Sequence, residues 1–243
     1  MLNYKAWIER AVRFTERVRQ LPGETEVESR AAPPLRADKV EALRRRLPLG
    51  LPLPFSNFLS RGSASFSFTY SWDVPQRLVA RLEAVFPSKE CLLGGSTFCN
   101  GRELPAVQSA CLEWGAALDK DYPEDKKIWS KSVPFLQILN GDYLALYVGP
   151  GRRGRQAPVA YLDHDGCGFS RIIAGSFDQF LRAWEGLYYV NPLELRTFFV
   201  DPISGYLNST SRKKFQLQEL LELGVQSRRS GERPTTLIRR QPG

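Results

Sequence analysis

Over residues 3–19 the apolar positions recur every three to four residues. Tyr4, Trp7, Ile8, Ala11, Thr15 and Val18 fall near one face, with Arg and Glu between them. That stripe predicts an amphipathic helix. Residues 22–37 are polar and proline-rich and read as a linker. Asp38 is placed to cap a second helix through Val40 and Leu43 to about Leu47. Prolines and glycine across Pro48–Pro54 break regular structure, leaving one helical turn over Phe55–Leu59. From Phe66 to Trp72 the period changes to two. Phe66, Phe68, Tyr70 and Trp72 alternate with Ser65, Ser67, Thr69 and Ser71, a strand with an aromatic core face and a hydroxyl face. Pro75 opens a helix through Phe86. Pro105 opens another, with a stripe of Val107, Ala110, Cys111, Trp114, Ala117 and Leu118. Asp119–Lys127 reads as a charged loop.

The stretch SVPFLQILNGDYLALYVG, residues 132–149, is almost wholly apolar but is cut by Asn140-Gly141-Asp142. A membrane span would carry that turn and charge at mid-bilayer, so the spanning reading fails. Asn-Gly between two runs of strand length predicts a hairpin. Its apolar residues point to both sides, so both faces need cover. A basic glycine-rich loop follows over Gly149–Ala157. PVAYLDHDG then reads as a third strand ending at Asp163-His164-Asp165, and Phe169–Ala174 as a fourth. Ser176 and Gln179 form the capping box of a helix whose buried face holds Phe177, Phe180, Leu181, Trp184 and Leu187. Beyond Asn191-Pro192 the pattern predicts a strand at Leu195–Val200, a turn at Asp201–Gly205 and a helix from near Ser211 that stops before Gly224. Residues 225–243 read as a disordered basic tail. The chain thus divides into an N-terminal helix and linker (1–35), an α+β domain (36–190), an extension (191–224) and the tail.

Charge refines this picture. The net +8 is distributed as +4 in residues 1–50, zero in 51–190 and +4 in 191–243. A phosphate-tracking groove needs a basic face on the folded body. Nucleic-acid binding therefore depends on the ends, through Arg44-Arg45-Arg46, Arg212-Lys213-Lys214 and the tail arginines. The start has charges among its apolar residues and lacks the unbroken apolar stretch of a signal peptide, which points to the cytoplasm. None of Cys91, Cys99, Cys111 and Cys167 forms a CxxC pair. Cys111 falls on a helix stripe as a small buried hydrophobe. No metal or cofactor is expected: His164 and Cys167 are two ligands short of a zinc site, and the acid cluster in 119–125 lacks the glycine and terminal glutamate of an EF-hand.

The candidate chemistry centres on His164, the chain's only histidine, between Asp163 and Asp165. A histidine held by a carboxylate can serve as a general base. Asp163 and Asp165, two apart on a strand, share a face. Yet the chain has no GxSxG elbow and no further partner for a triad, so the segment reads as a polar turn and the protein as non-enzymatic.

Four pieces in order give residues 36–187 a family resemblance. They are LPLGLPLPFSNFLSRGSASFSF, VPFLQILNGDYLALYV, APVAYLDHDG and SFDQFLRAW. They resemble the Leu-Pro segment with short helix and strand, the Pro-Phe strand with Gly-Asp turn, the third strand with acidic turn, and the final helix of the SUKH superfamily. This is the Smi/Knr type named for a fungal cell-wall assembly regulator. The resemblance implies an α+β fold, with a central mixed or antiparallel β-sheet and helices packed around it. It also implies a binding role, since many bacterial members are similar to immunity proteins that neutralise a cognate toxin. On that reading the partner is a protein, no membrane is involved, and nucleic acid is the alternative partner. The candidate contacts are loop residues taken as exposed: Asp142, Tyr143, Arg152, Arg153, Arg155, Asp163, His164 and Asp165. The three arginines suit an acidic partner surface.

Overall fold

The computed structural model describes residues 2–118, 122–138, 140–149, 157–165 and 169–229. In chain order the elements are α1 (Tyr4–Val18), β1 (Thr25–Ala31), α2 (Ala37–Arg46), α3 (Leu53–Arg61), β2 (Phe66–Asp73) and α4 (Gln76–Val85). Then come β3 (Cys91–Thr97), α5 (Leu104–Ala117), α6 (Pro123–Trp129), β4 (Ser132–Gln137), β5 (Tyr143–Tyr147) and β6 (Val159–Leu162). The chain continues through β7 (Arg171–Ala174), α7 (Phe177–Gly186), the short α8 (Pro192–Glu194), a π-helical turn at Leu195–Phe199 and α9 (Arg212–Arg229). The fold is α+β.

The strands form two antiparallel sheets, β1-β2-β3 and β4-β5-β6-β7, where one central sheet was expected. An isolated bridge between Phe98 and Leu136 joins them, and Cys99 N–H donates to Phe135 O at 2.8 Å. β2 keeps the predicted alternation: Phe66, Phe68, Tyr70 and Trp72 are all buried. α1 lays the predicted stripe over them. Trp7 is fully buried, stands edge-on to Phe58, Phe66, Phe68 and Phe98, and donates its Nε1–H to Leu181 O at 3.0 Å. This buried cluster runs from Leu2 to Leu221, so residues 1–35 and 191–224 pack on the same core as the segment between them.

The β4–β5 hairpin forms, and both of its faces are covered. Leu144 and Leu146 join the main core. Ala145, with Ala160 and Leu162 of β6, packs on Cys111, Leu118 and Trp129 from the region of α5 and α6. Cys111 is thus the buried small hydrophobe expected of it.

Several local expectations are corrected. The presumed linker contains β1, where Thr25, Val27 and Ser29 alternate with Glu26, Glu28 and Arg30; only one side is half-buried, as on an edge strand. β3 was not predicted because Gly94 and Gly95 interrupt its pattern. A Cβ on Gly94 would overlap the Tyr70 ring, and Gly95 has φ +74°. Asp38 lies in the first turn of α2, and the cap position is Arg36. The turn at Phe55–Leu59 is a nine-residue helix with Pro54 in its first turn, where a missing N–H costs nothing. α6 occupies much of the predicted charged loop. The predicted strand at Leu195–Val200 is helical through Phe199. Asn191 caps it by accepting from Leu193 N–H at 2.9 Å, and Pro192 starts it.

On α5 the buried face is Leu104, Gln108, Cys111 and Gly115, which leaves Trp114 exposed. Gly115 decides this, because a Cβ there would lie 2.7 Å from Trp129 Cβ. The helix turns its glycine to the tight contact. α9 does not stop at Gly224 but runs through it to Arg229. Residues 230–243 of the predicted tail lie outside the described residues. Among the described residues no helix is long and apolar enough to cross a membrane.

Candidate functional site

The β4–β5 loop is longer than a two-residue turn. Ile138 N–H donates to Asp142 O at 2.8 Å and Gly141 N–H to Ile138 O at 3.0 Å, with φ +97° at Gly141. Asn140 and Asp142 brace each other: Asp142 N–H donates to Asn140 Oδ1 at 3.2 Å, and Asn140 Nδ2 to Asp142 Oδ2 at 2.8 Å. Such local bonds are why Asn and Asp are favoured in turns. Asp142 itself is 0% exposed. The expectation of an exposed contact at this position is therefore corrected, since its oxygens are taken up inside the protein.

β5 pairs with β6 so that Tyr143 faces Leu162 and Leu144 faces Tyr161. The Tyr161 hydroxyl donates to Asp142 Oδ2. His164, just past β6, reaches back with two groups: its backbone N–H and its ring Nδ1 each lie 2.8 Å from Asp142 Oδ1. Burial alone would raise the Asp142 pKa. The bonds from Tyr161, His164 and Asn140 outweigh it and hold the carboxyl below its ordinary value. The other ring nitrogen, Nε2, lies 3.1 Å from Asp165 Oδ1. With a carboxylate at each nitrogen, the doubly protonated imidazolium is the satisfied form. The His164 pKa is accordingly raised, chiefly by the bond to Asp142.

Asp163 is also buried, again correcting an expected exposed contact. It pairs through Oδ1 with Arg196 of the π-helical turn. Its N–H donates to Ser170 Oγ at 3.0 Å, and Ser170 Oγ also accepts from Trp129 Nε1 at 3.1 Å. Burial raises the Asp163 pKa, and Arg196 offsets this only in part. The Arg196 guanidinium lies 5.1 Å from the Tyr161 ring centre and 5.3 Å from that of Phe169, within cation–π range. Two carboxylates at adjacent ends of neighbouring strands, Asp142 just before β5 and Asp163 just after β6, thus have separate basic partners, His164 and Arg196.

The structure brings together four of the predicted residues: Asp142, Asp163, His164 and Asp165. Tyr143 is half-buried on another side, edge-on to Trp129 at 5.9 Å. Arg152, Arg153 and Arg155 lie outside the described residues. Only His164, at 31% side-chain exposure, and Asp165, at 67%, meet solvent appreciably in the cluster. Both His164 nitrogens are committed to carboxylates. Abstracting a proton would require the imidazolium first to lose its own and one of these pairs to break. The arrangement works as a clamp that ties Asp142 to His164 and Asp163 to Arg196.

Four residues of the region escaped sequence reasoning: Tyr161, Arg196, Trp114 and Phe169. Trp114 is 46% exposed and Phe169 48%. Trp114 donates its Nε1–H to His164 O at 3.1 Å, with its ring 6.5 Å from the imidazole. The available signal was Gly115, which marks the close face of α5 and turns Trp114 outward.

Arg44, Arg45 and Lys213 of the expected basic clusters have partners on the surface. Arg44 and Arg45 both meet Glu41, at 3.0 and 3.4 Å. Lys213 Nζ donates to Val85 O at 3.1 Å and lies 4.2 Å from the Phe198 ring centre. No protein-family model matches the chain, and no curated protein matches its sequence.

Proposed function

We propose that this chain is a non-enzymatic, cytoplasmic protein-binding module. Following its SUKH resemblance, it would act as an immunity protein that binds and neutralises a cognate toxin. One observation carries the reading: two half-exposed aromatic rings border the ion-pair cluster, Trp114 donating to His164 O and the Phe169 ring centre lying 5.3 Å from the Arg196 guanidinium that pairs with Asp163. Exposed aromatics beside charged groups are the composition of binding hot spots. Side chains already held by ion pairs, as His164 and Arg196 are, lose little conformational freedom on association, so more of the contact energy becomes affinity. Cytoplasmic placement is supported by free thiols at Cys91, Cys99 and Cys111, with burial pushing the last two up to about 12.

The test compares affinity capture by the wild-type protein and by a folded Trp114→Ala/Phe169→Ala variant, both after nuclease treatment. The reading expects one stoichiometric protein on the wild type that is lost from the variant. It also expects that protein to arrest growth when expressed without this chain. Equal capture by both would dismiss the surface. Recovery only of nuclease-sensitive ribonucleoproteins would dismiss the protein-binding reading in favour of nucleic acid.

A further inference from the structure

β1 stands at the end of its sheet, bonded on one side only, to β2. Asp73 N–H donates to Glu24 O and Ala32 N–H to Ser65 O, at 2.9 and 2.8 Å. These bonds bracket the strand, so its even-numbered residues bond toward β2. By the period of two, the N–H and C=O groups of Thr25, Val27, Ser29 and Ala31 point away from the sheet. Arg19 confirms the direction, since its Nη2 reaches Val27 O from outside at 3.2 Å. Open edges are usually blunted by charged side chains, proline, a bulge or covering structure. β1 has neither proline nor bulge over seven residues; it carries Glu26, Glu28 and Arg30, and Arg19 covers the Val27 carbonyl.

The sheet surface beside this edge is uncovered. Glu26 pairs across to Ser71 and Leu93, and Glu28 to Thr69 and Gly95. These residues line an open groove of about 700 Å³ that extends to Glu103, just before α5, and to Val107 within it. In a chain of net charge +8, the groove is lined by three glutamates and by no Lys, Arg or His. Glu28 meets Arg30 at 2.7 Å, but both side chains are largely exposed and the pair holds weakly.

We propose that β1 is a docking edge for an extended segment of a partner protein carrying Arg or Lys at alternate positions. Such a segment extends the sheet through main-chain hydrogen bonds to the outward groups of β1, taking the place of the exposed Arg19 side chain at Val27 O. Its alternate side chains then lie beside Glu26 and Glu28, the cross-strand arrangement in which opposite charges attract. The proposal is independent of the Trp114 surface.

The probe is a fluorescein-labelled peptide alternating arginine with threonine, followed by anisotropy at low ionic strength against an alternating glutamate–threonine control. The arginine peptide is expected to bind and the control not. Glu26→Gln/Glu28→Gln should weaken binding about tenfold. Ser29→Pro, which deletes an outward N–H that the fold does not use, should weaken it comparably, whereas Ser29→Ala should not. Amide exchange at Thr25, Val27, Ser29 and Ala31 should slow on binding. No binding, equal binding to Ser29→Pro or equal displacement by spermine would each overturn the proposal, the last leaving only a polycation site. A wild-type dimer that Ser29→Pro converts to monomer would overturn it in favour of a second copy of this chain.

Discussion

Asp142 Oδ1 meets His164 twice, once at the backbone N–H and once at ring Nδ1, each at 2.8 Å. Tyr161 and Asn140 occupy the other oxygen, so a fully buried carboxylate has a donor in every direction. Asp142→Asn keeps the shape but points an amide NH2 group at donors. We expect a loss of about 2–3 kcal/mol, read as a lower urea midpoint with unchanged m-value.

The same pair sets a pH dependence. The His164 pKa is raised in the folded state, so its contribution is fully present below the unfolded value of about 6.5 and is lost as pH rises through the folded value. The Asp142 pKa is lowered, so its contribution is present above the unfolded value of about 3.9 and is lost as pH falls through the folded value. The stability gap between wild type and His164→Gln should be widest between the two unfolded values and should narrow toward alkaline pH. Urea titrations across that range check it. A gap that widens above neutrality would contradict the clamp.

Arg196 and Asp163 form the second buried pair. Removing the cation alone strands a buried carboxylate, so Arg196→Leu should cost about 3–5 kcal/mol. Adding Asp163→Asn should recover part of that loss, because the charge left behind disappears. A double-mutant cycle in urea measures the coupling. Strict additivity would mean the pair contributes nothing as a pair.

Gly224 sits inside α9, where Ala would ordinarily gain about 1 kcal/mol over Gly. Here a Cβ would lie 2.9 Å from the Trp72 ring and 3.1 Å from Leu21 Cδ2. Gly224→Ala should therefore lower stability, by about 1–3 kcal/mol for an overpacked contact. Thermal melts of the two proteins give the sign directly.

Gly224 and Gly115 also mark where the sequence was hard to read. Apolar periodicity found α1, β2 and α7, because each buries a continuous row of large side chains. It assigns no weight to glycine, yet two glycines set the face of α5 and the length of α9 through contacts with Trp129 and Trp72. β1 was missed because an edge strand buries only half of one side and fills the rest with charge. At the candidate site, Asp163-His164-Asp165 stood out by composition. Burial of Asp142 and Asp163 did not, since it depends on Tyr161 and Arg196, the latter 33 residues beyond Asp163. No local pattern carries such a pairing.

Trp7 of α1 donates to Leu181, 174 residues further along the chain. During synthesis at about 5–20 residues per second, Trp7 precedes that acceptor by roughly ten to thirty-five seconds. Phe58, Phe66, Phe68 and Phe98, which also pack on Trp7, follow it much sooner, so the ring can be covered before its N–H finds that partner. α7 then supplies the acceptor, together with Trp184, and closes the core on a ring that earlier elements already surround.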